Sequence, residues 1–87
     1  MARTRIFLAE DNKALLAELC RELKEEFEIV GTASNGQDVV DSVLRLDPDV
    51  VVLDINMPIL NGIQASLRIH ESHPRSKVLF LTIHEND

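Results

Sequence analysis

The sequence predicts an α/β fold, doubly wound around a parallel sheet, and two observations carry that prediction. Apolar strand-like segments and segments with helical spacing alternate three times before a last strand, the order that βαβ crossovers produce. The run Val50-Val51-Val52-Leu53 is apolar without a break, as in strands buried on both faces of a parallel sheet. Right-handed crossovers then place helices on both sides.

The elements follow in order. Thr4-Arg5-Ile6-Phe7-Leu8-Ala9 reads as the first strand and ends in Glu10-Asp11. Asn12 can cap the next helix, in which Leu15, Leu16, Leu19, Leu23 and Phe27 fall at helical spacing. Charged residues from Lys13 to Glu25 fill its other face. Residues 28–33 form a second, weaker strand, and Ser34-Asn35-Gly36 a turn or cap. Val39, Val40, Val43, Leu44 and Leu46 mark a second helix, ended by Asp47-Pro48-Asp49, since a residue before proline resists the α region.

The third strand runs into Asp54, and Pro58 forces a turn soon after. Asn61-Gly62 then punctuates the chain. A third helix carries Ile63, Leu67 and His70 at helical spacing, with Ala65 and Ile69 nearby. Residues 72–76 form a loop, and Lys77-Val78-Leu79-Phe80-Leu81-Thr82 is the fourth strand. There is no internal repeat and no low-complexity segment.

Composition narrows the function. The 87 residues form one small domain with a thin stability margin. Aromatics are 3%, too few for base-stacking platforms. The net charge of −6 opposes contact with phosphate backbones, so direct nucleic-acid binding is not expected. Cys20 stands alone, which excludes an internal disulfide and suits a reducing compartment. No run approaches the roughly 18 apolar residues of a membrane span. The expectation is a cytoplasmic domain without membrane contact.

The chemistry gathers at the carboxyl ends of strands, where open α/β sheets bind ligands. Glu10 and Asp11 follow the first strand and Asp54 closes the third. If those strands are neighbours, three carboxylates share one pocket and oppose each other's ionisation unless a cation joins them. An oxygen-only donor set suits Mg²⁺ before Ca²⁺. A carboxylate beside such an ion can serve as a nucleophile toward phosphorus. Taken singly, Asp54 could be a strand-terminal cap, and Glu10-Asp11 could be acids favoured at a helix N-terminus. Thr82 ends the fourth strand and would face the same crevice. His70, His73 and His84 read as surface residues, and Cys20 as a small buried or boundary residue.

Glu10-Asp11, Leu53-Asp54-Ile55-Asn56-Met57-Pro58, Gly62 and Phe80-Leu81-Thr82 occur in an order and spacing that resemble the receiver domain of two-component response regulators. The resemblance implies a flavodoxin-like sheet of strand order 2-1-3-4-5. It implies that Asp54 accepts a phosphoryl group from a sensor histidine kinase's phosphohistidine. It further implies that Glu10, Asp11, Asp54 and the backbone carbonyl of Asn56 hold Mg²⁺, and that Thr82 is a switch hydroxyl. The Asn56 side chain would lie where the family tunes loss of that group.

Family members continue with a fourth helix, a fifth strand bearing a lysine and an aromatic, and a fifth helix. This sequence stops at Asp87, so residues 1–87 are expected to be the N-terminal part of a receiver, with strand order 2-1-3-4. Lys13 is the only nearby cation. Leu81 to Glu85 resembles the subgroup whose output domain is a DNA-binding helix-turn-helix.

Three functions compete. The leading expectation is a phosphoacceptor that reacts once per cycle and is not a turnover enzyme. The second is an interaction module that self-associates along residues 78–83 or exchanges elements, because its fourth strand would be an apolar sheet edge. The third, a Mg²⁺-dependent phosphohydrolase, is disfavoured because Asp54-Ile55-Asn56 lacks a second carboxylate to act as general acid.

Overall fold

The computed structural model describes residues 3–72 and 75–81. In chain order the elements are β1 (Arg5–Ala9), α1 (Lys13–Leu23), β2 (Glu28–Ala33), α2 (Gly36–Leu46), β3 (Val50–Asp54), α3 (Gly62–Ser72) and β4 (Lys77–Leu81). The four strands form one parallel sheet in the order β2-β1-β3-β4. Among the described residues this is the doubly wound parallel arrangement of four strands and three helices that the alternation predicted, in the flavodoxin-like order that the resemblance implied.

β1 is central, and residues Ile6 to Ala9 are all buried. Side chains alternate across a strand, so its two faces serve different layers. Phe7, Ala9, Val51 and Leu53 join Val39, Val40, Val43, Ala65 and Ile69 in the main core, between the sheet and the α2–α3 layer. Ile6 and Leu8 point the other way, toward the α1 side. The α2–α3 layer sits close. A Cβ at Gly36 would lie 1.9 Å from the Leu60 carbonyl oxygen, so only glycine allows that approach.

Caps explain where two of the helices begin. Asn12 Oδ1 accepts from the Leu15 N–H at 3.1 Å, and Asn35 Oδ1 from the Asp38 N–H at 2.9 Å. Asp47 ends α2 in the left-handed region, with φ 49. At the opposite end of the sheet from the strand tips, Arg5 reaches the Leu46 and Asp47 carbonyls, and its own N–H donates to Asp49. Arg75 pairs with Asp47 and Asp49, tying the start of β4 to the same corner.

The structure corrects four details. Thr4 precedes β1, which starts at Arg5. Phe27 is not helical: α1 ends at Leu23, and residues 24–26 form a turn into β2. No residue of α1 is fully buried, so its apolar stripe is only half covered. On α3 the buried positions are Ala65 and Ile69, whereas Ile63 and Leu67 are 49% and 60% exposed. Helical spacing locates an apolar face, but which part of it is covered depends on what packs above.

Candidate functional site

The order β2-β1-β3 makes the first and third strands neighbours, with Ala9 opposite Leu53. The residues that follow each strand therefore emerge side by side. Carboxylate oxygens of Glu10, Asp11 and Asp54 all lie within 4.8 Å of one another. Their surroundings differ. Glu10 is buried, Asp54 half-buried and Asp11 exposed.

Glu10 is fixed from two directions. Its N–H donates to the Ala33 carbonyl at 3.0 Å, and its Oε2 accepts from the Asn12 N–H at 2.9 Å. Burial pushes its carboxyl above the ordinary glutamate value. The Asn12 N–H works against that shift, while Asp11 and Asp54 reinforce it. Asp54 Oδ1 accepts from the Asn56 N–H at 3.3 Å, which begins the turn after β3. Among the described residues no Lys or Arg forms an ion pair with any of the three acids, and Lys13 makes none.

The loop after Asp54 is tightly built. Gly62 donates its N–H to the Ile55 carbonyl at 2.9 Å, closing the excursion back onto β3. A Cβ at Gly62 would lie 2.3 Å from the Asp54 carbonyl oxygen. Ile59 has φ 70 and is 81% exposed, and the Leu60 N–H reaches back to the Pro58 carbonyl at 2.7 Å. An i→i+2 bond around a residue of positive φ is the mark of the rare, strained γ-turn, and a β-branched residue suffers most there. Ile59→Gly is expected to raise stability by about 1–2 kcal/mol, because strain leaves and little burial is lost. Urea denaturation reads this directly; an unchanged or lower midpoint would refute the strain.

The structure thus brings Glu10, Asp11 and Asp54 together, with Asn56 exposed just beyond Asp54. Thr82 lies outside the described residues, as do His73 and His84. The second role of Asn12, holding the Glu10 carboxylate while its side chain caps α1, was missed by the sequence reading. Its position two residues after a strand-terminal acid was the available signal.

The donor set suits a hard divalent ion: three carboxylates and, among the described residues, no nitrogen or sulfur ligand beside them and no cation paired with them. Among the described residues no helix is long and apolar enough to cross a membrane.

The family model described as "Response regulator receiver domain" matches residues 6–87. A transcriptional regulatory protein of Bacillus subtilis, YvfU, is 36% identical over 80 residues, covering 90% of this chain and 40% of that protein. A LuxR-family DNA-binding response regulator from Staphylococcus aureus superposes with a TM-score of 0.87 at 30% identity, over 95% of this chain and 71% of that one. A CheX–CheY–BeF₃–Mg²⁺ complex from Borrelia burgdorferi gives 0.85 at 26% identity, over 91% and 61%. The chain spans two fifths or less of the first curated relatives it matches. These relatives include transcriptional regulators and protein-glutamate methylesterases.

Proposed function

Because the chain belongs to the response regulator receiver domain family, we propose that it is a phosphoacceptor module for two-component signalling, with Asp54 as the acceptor. The observation that carries this reading is the convergence of Glu10, Asp11 and Asp54 within 4.8 Å. A kinase phosphohistidine is the donor. An Asp54 carboxylate oxygen attacks phosphorus, and the P–N bond breaks with its electron pair left on the imidazole, which takes up a proton.

Glu10, Asp11, Asp54 and the Asn56 carbonyl would hold Mg²⁺. That ion, when bound, offsets negative charge on the phosphoryl oxygens. The protein's own part is positioning. Burial and the Asn12 N–H keep the Glu10 carboxylate turned into the pocket, and the turn at Asn56 holds Asp54 at the rim. Asp54 reacts once per cycle, so the module is not a turnover enzyme. Thr82 is assigned the switch hydroxyl, and residues 1–87 are read as the N-terminal part of one cytoplasmic receiver. The Borrelia complex supports the choice of Mg²⁺ and of a beryllium fluoride mimic as probe.

A second reading, self-association along β4, is favoured by one observation. β4 is the last strand of the described sheet, and Leu79 and Phe80 are 57% and 43% exposed on its two faces.

Incubation with Mg²⁺ and acetyl phosphate, followed by mass spectrometry, is expected to show a single phosphoryl adduct. Asp54→Asn is expected to remove it completely. An adduct that survives the substitution would reject Asp54 as acceptor. Sustained phosphate release from unrelated esters would point to a hydrolase instead.

A further inference from the structure

Each of the three described helices starts just after an asparagine: Asn12, Asn35 and Asn61. In a complete capping box the first residue's side chain takes the N–H three residues on. The side chain at that later position then returns a bond to the first residue's own N–H. α3 does this in full: Asn61 Oδ1 accepts from the Gln64 N–H at 2.9 Å, and Gln64 Oε1 from the Asn61 N–H at 3.1 Å. α2 closes on itself through side chains, with Asn35 Nδ2 donating to Asp38 Oδ2 at 3.0 Å.

α1 is built differently. The residue three on from Asn12 is Leu15, which has no group to return, and the first turn of α1 holds no acid. The Asn12 N–H goes instead to Glu10 Oε2 at 2.9 Å, upstream of the helix and inside the carboxylate cluster. Asn12 Oδ1 meanwhile accepts from the Leu15 N–H at 3.1 Å, and the Asn12 carbonyl from the Leu16 N–H at 2.9 Å. Glu10 is 4% exposed, so water is a poor substitute for the bond it receives.

Resting on the reading of Glu10 as a Mg²⁺ ligand, we propose that Asn12 is a positioning residue for that ion, coupling the cap of α1 to metal affinity through the Glu10 carboxylate. The Asn12 side chain fixes the first turn, the fixed turn aims the Asn12 N–H, and that N–H orients the carboxylate. Groups that hold a ligating side chain in place typically carry about 10–100-fold in metal affinity. Here the donor is backbone and remains when the side chain is cut, so the lower end, about tenfold, is expected. Coupling of this kind is reciprocal, so Mg²⁺ tightens the first turn of α1 by the factor that the turn adds to Mg²⁺ affinity.

Calorimetric titration with Mg²⁺ alone tests this on the parent and three variants. Asn12→Ala is expected to weaken binding about tenfold. Asn12→Ser, which caps a helix as well as asparagine does, is expected to stay within about twofold of the parent. Asn35→Ala removes the matching cap of α2 and is expected to leave the affinity unchanged, although stability falls. The parent carries a second test in amide hydrogen exchange. Saturating Mg²⁺ is expected to slow exchange of the Leu15 N–H about tenfold relative to the Asp38 N–H, its counterpart in α2.

Asn12→Ala binding as tightly as the parent, or no more weakly than Asn35→Ala, would overturn the coupling. A serine that fails to restore binding would do the same, as would a Leu15 N–H that responds to Mg²⁺ no more than that of Asp38. Should Asn12→Ala fail to fold, the serine variant and the exchange measurement decide. A parent that takes up no Mg²⁺ would reject Glu10 as a ligand and the coupling with it. That outcome is distinct from the others because it appears before any substitution is made.

Discussion

Gly62→Ala is expected to cost about 2–4 kcal/mol of folding stability and to disturb Asp54 as it does so. The added Cβ would sit 2.3 Å from the Asp54 carbonyl oxygen and 2.9 Å from the Ile55 Cα. Both are backbone atoms, so no side chain can swing aside. Either the first turn of α3 lifts or the end of β3 bends, and the Gly62 N–H to Ile55 bond is stretched in both cases. Overpacking typically costs about 1–3 kcal/mol, and a backbone clash belongs at the upper end. That is a large share of the roughly 5–15 kcal/mol that small domains possess. Thermal denaturation followed by circular dichroism checks the loss. A melting temperature unchanged to within about a degree would show that the approach is not as close as described.

Divalent cations are expected to stabilise the chain strongly, and the effect should vanish in Glu10→Gln. Mg²⁺ at about 100 times its dissociation constant adds about 2.7 kcal/mol if it binds only the folded state. For a domain of this size that is a rise of about 10–20 °C in melting temperature. The sign with pH follows from the Glu10 carboxyl, which burial and then its acidic neighbours raise above the ordinary value.

In the metal-free chain the folded state holds that proton more tightly than the unfolded state. The cost is absent below the ordinary glutamate value and grows as pH climbs through the raised one. Divalent binding needs the ionised carboxylate, so its stabilisation is present above that window and fades on acidification. Glu10→Gln keeps an acceptor for the Asn12 N–H while removing a buried charge. The metal-free variant is therefore expected to melt higher than the parent at neutral pH, and to gain nothing from Mg²⁺. Scanning calorimetry with and without the ion measures both. An Mg²⁺ gain of equal size in the variant would exclude Glu10 as a ligand.

Much of the architecture was legible in advance because it rests on short-range patterns. The unbroken Val50–Leu53 run marks a strand, although only Val51 and Leu53 are fully buried and Val50 and Val52 on its other face are half-buried. The helical spacing of Val39, Val40 and Val43 marks a covered face, and all three are buried. Asn12 and Asn35 were readable as caps because capping is a local bond between near neighbours in the chain. Patterns were less informative where coverage depends on a remote layer. Ile63 and Leu67 share helical spacing with residues that point into the core, yet both are exposed. Phe27 continues the α1 spacing by one more turn, but the chain leaves the helix at Leu23 to enter β2.

The sequence by itself determined the alternation of strands and helices, the acidic strand ends and the identity of the three carboxylates, because each is written within a few residues. Only the tertiary structure decided that β1 and β3 are neighbours, that Glu10 is the buried member of the trio, and that Ile59 takes a left-handed conformation. Strand order and burial depend on contacts between segments some forty residues apart. Local pattern does not encode which remote surface will close over which side chain.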